Sequence, residues 1–111
     1  MVNDTFGALA HPIRRGIVER LARGPATVGV VTRGFDVSKP AISRHLKVLE
    51  DAGVVRRTVE GRTHRLGLDV TVLGETIDWL DQQRRVWDRM FDAVADQLEA
   101  ERPGHLHGQP L

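Results

Sequence analysis

Lys39, Ser43, Arg44 and Lys47 recur at helical spacing within residues 38–53, which gathers cations and a hydroxyl on one side of a helix. Ammonium and guanidinium groups pair with phosphates, and such a face also suits hydrogen bonding to base edges in a major groove. Ile42, Leu46 and Leu49 fall on the opposite side, so one face packs while the other is free to touch a partner. A solvated helix surface would look the same. The next stretch of chain bears on the choice: Val54 to Val59 mixes apolar and basic residues of β-favouring types, Glu60-Gly61 supplies a tight turn, and residues 62–68 return with His64, Leu66 and Leu68 on one side. A hairpin of this kind brings Arg56, Arg57, Arg62 and Arg65 within reach of phosphates or a minor groove beside the helix.

The elements that must hold these groups are punctuated in the sequence. Ser38 can cap the helix, Pro40 is tolerated in its first turn, and Gly53 can end it in a left-handed conformation. Upstream, Asn3 or Asp4 is expected to cap a short first helix carrying Phe6, Leu9 and Ala10. Pro12 opens a second helix with Ile13, Ile17 and Leu21 in one stripe, closed by Gly24-Pro25. Thr27 is a reasonable cap for a third, short helix to about Arg33, after which Phe35 and Val37 are expected to insert into the core.

Residues 71–101 read as one long amphipathic helix, frayed or bent near Gly74. Leu73, Ile77, Leu80, Trp87, Phe91, Val94 and Leu98 follow the spacing of a seam with Arg84 at its one polar position, and Trp79, Val86 and Met90 widen it. So small a core can hardly cover this stripe, which implies a homodimer packed through the last helix and through Phe6 and Leu9 of the first. A single domain over 1–102 is expected, with a DNA-binding core at 11–68, a dimerisation helix at 70–101 and a disordered tail at 103–111.

The net charge of +1 conceals a segregation: residues 11–68 carry 12 Lys/Arg against 5 Asp/Glu, whereas residues 69–111 carry 4 against 9. A positive field confined to one module is what a polyanion partner requires. No cysteine is present, which excludes disulfides and thiolate metal sites. With no long apolar run and no leader-like start, the chain is expected to be soluble and cytoplasmic, without a membrane partner. No glycine-rich phosphate loop and no pairing of His with carboxylates at ligand spacing appears, so neither an enzyme nor a cofactor is expected.

Taken in order, Leu9-Ala10-His11-Pro12-Ile13-Arg14-Arg15 with Ile17 and Leu21, then Ser38 to Gly53 around Ser43-Arg44-His45-Leu46-Lys47-Val48-Leu49, then Val54-Val55-Arg56-Arg57 and Glu60-Gly61-Arg62, resemble an ArsR-type winged helix-turn-helix repressor over residues 5–100. The resemblance implies a mainly α fold with a small β-hairpin, dimerising through its N- and C-terminal helices. It also implies a prokaryotic transcription factor that binds double-stranded DNA at an inverted repeat, with half-sites roughly 34 Å apart. By this likeness Ser38, Lys39, Pro40, Ser43, Arg44 and Lys47 face the major groove, and Arg62, with Arg57 and Arg65, contacts the flanking backbone or minor groove. His45 is expected to pack or to position a phosphate contact rather than to read a base. Many such proteins sense metals, but here the third helix lacks cysteine and residues 70–101 lack histidine. The reading is therefore a regulator without metal response, for which a small-molecule effector of unknown identity is left open. The alternatives are a metal site built from the tail histidines His105 and His107, and a winged-helix scaffold whose basic face binds an acidic protein.

Overall fold

A computed structural model of the chain describes residues 2–101. The expected tail at 103–111, with His105 and His107, lies outside the described residues. The chain divides into two units, Met1–Ile77 and Asp78–Leu111, with the boundary inside the last helix.

In the first unit the order is α1 (Val2–Ala8), α2 (Pro12–Leu21), β1 (Ala26–Thr27), α3 (Val28–Val31), α4 (Lys39–Asp51), β2 (Val55–Glu60) and β3 (Thr63–Leu68); α5 (Val70–Glu101) begins here and supplies the whole described part of the second unit. Ile17 and Leu21 of α2, Val31 of α3, Leu46 and Leu49 of α4, Val54, Val55 and Leu66 form the buried core. The small side chains Thr5 and Ala8 are the buried face of α1, which packs against α4; Phe6 is exposed and Leu9 half-buried.

Helix α1 already includes Asn3 and Asp4 in its first turn, so neither is its cap as expected; Asp4 there still meets the positive end of the helix dipole. Pro12 does open α2, and the cap is His11, whose Nδ1 accepts from the Ile13 N–H at 3.1 Å. Thr27 caps α3 through the Val30 N–H. That helix stops at Val31, short of Arg33, where the Thr32 hydroxyl donates to the Val28 carbonyl at 2.7 Å and competes for the last turn. Phe35 packs against the core beneath the Arg20 guanidinium, 4.0 Å from its ring centre, but Val37 is exposed rather than inserted.

The hairpin is one part of a three-stranded antiparallel sheet in the order β1-β3-β2. Ala26 and Thr27 pair with Leu66 and Arg65, an edge the sequence did not announce. Glu60 pairs with Thr63, so the turn is Gly61-Arg62, one residue later than expected, with Gly61 at φ +62°. The buried carboxylate of Asp69 joins sheet to α5: Oδ1 accepts from the Thr71 and Val72 N–H groups at 3.0 and 3.1 Å, and Oδ2 accepts from Arg56 Nε at 2.5 Å. These donors hold the Asp69 carboxyl below the usual carboxylate range, the Arg56 hydrogen bond acting most strongly. Helix α5 runs unbroken through Gly74.

Candidate nucleic-acid interface

Helix α4 is fixed at both ends. Ser38 Oγ accepts from the Ala41 N–H at 3.2 Å and Pro40 lies in the first turn. Beyond the C-cap Ala52, Gly53 takes φ +76°, allowing Val54 N–H to return to the Leu49 carbonyl and Gly53 N–H to the Glu50 carbonyl. Ile42, Leu46 and Leu49 are buried, while Ser38, Lys39, Pro40, Ser43, Arg44 and Lys47 are all exposed. The outer face is thus set by the packing of the inner one. Lys47 makes a loose pair with Asp51, one turn on, at 3.4 Å.

The strand register separates the arginines of the hairpin. Directly paired residues share a face, so Arg57 lies on the side of Leu66, Val55 and Leu68, which faces the core. Arg56 and Arg65 lie on the other side, and Arg62 stands in the turn. Arg62 and Arg65 are exposed. Arg57 is engaged within the chain: Nε and Nη2 donate to Glu50 Oε1 and Oε2 at 2.9 and 2.8 Å, and Nη1 donates to His64 Nδ1 at 3.0 Å. The Glu50 hydrogen bonds push the Arg57 guanidinium further toward its charged form.

Several arginines that enlarge the positive count serve as backbone caps. Arg14 Nε donates to the Ala8 carbonyl at 2.6 Å and Nη2 to that of Gly7 at 3.3 Å, while Arg15 Nη1 donates to Leu9 at 2.8 Å, so together they satisfy the C-terminal carbonyls of α1. Arg20 does the same after α3, donating to the Val31 and Arg33 carbonyls. These roles are invisible in the sequence, because an arginine in a row of letters does not name its acceptor.

His45 sits between the two sets. Its Nδ1 accepts from Arg14 Nη1 at 3.1 Å, and its ring lies 4.3 Å from that of His11, centre to centre. A guanidinium only donates, so His45 is neutral here, with its proton on Nε2. Burial, then the neighbouring His11, Arg14 and Arg44, hold the His45 pKa below 6.5. The unfolded chain therefore binds this proton more readily than the folded one, and stability must fall as pH drops from neutral through the folded pKa. We expect the Tm of the wild type to decline between pH 7.5 and 5, and His45→Gln, which keeps an acceptor but does not titrate, to decline less. Equal declines in thermal melts would show that His45 does not carry the acid sensitivity.

On α5, Ile77, Leu80, Trp87, Phe91 and Val94 are exposed, as are Trp79, Val86, Met90 and Leu98. Leu73, expected in the same seam, is half-buried against the chain's own core together with Val72. Among the described residues no three or more His, Asp or Glu side chains are grouped to hold a metal ion, and no helix is long and apolar enough to cross a membrane.

Residues 9–58 match a protein family described as a helix-turn-helix domain. The chain is 43% identical over 94 residues to the HTH-type transcriptional regulator Rv2034 of Mycobacterium tuberculosis, covering 85% of each. It is 37% identical over 79 residues to the transcriptional repressor SdpR of Bacillus subtilis, covering 71% of this chain and 88% of the relative. The solved structure of the ArsR family transcriptional regulator RHA00566 superposes with a TM-score of 0.72 at 36% identity, over 78% of this chain and 94% of the other.

Proposed function

Because the chain belongs to the ArsR family of winged helix-turn-helix transcriptional regulators, a non-enzymatic DNA-binding class, we propose that it is a homodimeric repressor that reads an inverted-repeat operator by laying α4 in successive major grooves. The observation that carries this reading is the outward face of α4. Lys39, Ser43, Arg44 and Lys47 are exposed on a helix whose other side is locked into the core, beside a wing that presents Arg62 and Arg65. In this reading 11–68 is the DNA-binding core and 70–101 the dimerisation helix of one domain acting in the cytoplasm. The dimer is supported by the exposed stripe from Ile77 to Leu98 and, on α1, by the exposed ring of Phe6 and the half-buried Leu9 that follows it. In this reading the repressor is metal-independent, since the chain has no thiolate and residues 70–101 carry no histidine to ligate a metal.

The test is fluorescence anisotropy with the DNA upstream of its own gene and a scrambled duplex, with Zn²⁺ or a chelator. Selective binding indifferent to metal is expected. Release by zinc would instead favour a histidine site, and equal binding to both duplexes would favour the protein-interaction scaffold. Arg44→Ala should relax sequence preference by about 1–3 kcal/mol at the base it reads, whereas Arg62→Ala should weaken binding to both duplexes alike and lower the salt slope by about one. The opposite pattern in salt-dependent titrations would reassign the two contacts.

A further inference from the structure

Arg57 carries a cation at the base of the outer half of the wing, yet all three of its nitrogens are engaged within the chain. The bidentate bond to Glu50 and the third bond to His64 span α4, β2 and β3, and the Arg57 and Glu50 side chains are only 29% and 27% exposed. Glu50 is itself out of place by ordinary rules, being an anion in the last turn of α4, where the helix dipole favours cations. Arg57 offsets that cost and converts it into a fork-to-fork bond of fixed geometry.

The position of this bond within the hairpin gives it a consequence. Strand β1 pairs only with Leu66 and Arg65, so from His64 to the turn the hairpin has no neighbour in the sheet beyond its own two strands. On the α3 side the wing overhangs an open hollow of about 510 Å³ lined by Arg57 and His64 themselves together with Thr27, Val28, Gly29, Arg62 and Thr63. A two-stranded ribbon with an open flank is a flexible support, and Arg57 and His64 form the last anchor before it extends outward.

We propose that Arg57 is a positioning residue: clamped by Glu50 and His64, it sets the angle of the wing to α4 and hence the spacing between Arg62 and the base-reading face, without itself contacting a phosphate. This rests on the DNA-binding function proposed for the chain. It makes Glu50, an anion on the same helical stripe as Ser43 and Lys47, necessary for tight binding to a polyanion.

The test is operator affinity against salt concentration for wild type, Arg57→Gln, Glu50→Gln, the double variant and Arg57→Lys, with a thermal melt of each to confirm folding. Both single variants should weaken operator binding by about tenfold with the wild-type salt slope, the double variant should lose no more than either, and lysine should not rescue. A phosphate contact predicts something different. Arg57→Gln would then flatten the slope by about one, while Glu50→Gln, freeing the cation and removing a negative charge, would leave affinity unchanged or raise it. That pattern, or wild-type affinity in both single variants, overturns the proposal. If a variant melts early, hydroxyl-radical footprints taken below its transition replace affinity: loss of protection confined to the sequence flanking the major-groove contacts supports the clamp, and uniform loss overturns it. Failure of wild type itself to prefer the operator would be failure of the DNA-binding reading, separately visible.

Discussion

Phe91→Glu is expected to yield a helical monomer that releases the operator. Phe91 is 66% exposed in the middle of α5, between Trp87 and Val94, which are exposed on the same stripe. Monomeric proteins rarely leave so large a contiguous apolar surface in water. If a second copy covers it, a carboxylate at its centre must be desolvated on association, a cost of several kcal/mol that a helix-pair interface cannot absorb. Separated subunits lose the advantage of binding two half-sites as one ligand, so operator affinity should fall by about 10²- to 10⁴-fold. Analytical ultracentrifugation reads the mass and anisotropy the affinity. Arg89→Glu, on the opposite side of the helix, serves as the control and should remain dimeric; a dimeric Phe91→Glu protein would remove α5 from the interface.

Leu49→Ala should cost about 2–5 kcal/mol of folding free energy, much of the roughly 5–15 kcal/mol available to a small domain. Leu49 is 0% exposed, packed in one cluster with Ile17, Val31, Val54 and Leu66. Its removal leaves a cavity under the helix that carries the outward cations. Ser43→Ala, on the exposed face of the same helix, should change stability by no more than about 0.5 kcal/mol. Urea denaturation of the two variants checks the assignment of faces directly, and comparable losses would show that the helix is rotated from the arrangement described.

What can be read from the letters is local. Ser38, Pro40 and Gly53 mark the ends of α4 because capping and left-handed termination depend on neighbouring residues alone. The apolar spacing of Ile42, Leu46 and Leu49 reveals its buried face for the same reason. Strand β1 escapes such a reading because two residues, Ala26 and Thr27, are a strand only by virtue of Leu66 and Arg65, far along the chain. His11 is hard to foresee as a cap because imidazole is an uncommon one, its acceptor nitrogen depending on the tautomer. The charge of the hairpin's arginines is plain in the sequence, but their roles follow from register: a turn placed one residue later, at Gly61-Arg62, accompanies a pairing that sends Arg57 inward and Arg56 and Arg65 outward.

The backbone-capping arginines bear on how fast the protein finds DNA. Arg56 and Arg57 are matched by carboxylates, so their charge is largely cancelled at a distance. Arg14, Arg15 and Arg20 donate to neutral peptide carbonyls instead. Each is anchored as a hydrogen-bond donor and still carries its whole unit of charge into the surrounding solvent. The residues that stitch α1, α2 and α3 together thereby strengthen the long-range potential that draws a polyanion in, raising the association rate at low ionic strength without touching a nucleotide. Scaffold and electrostatic antenna are built from the same three side chains.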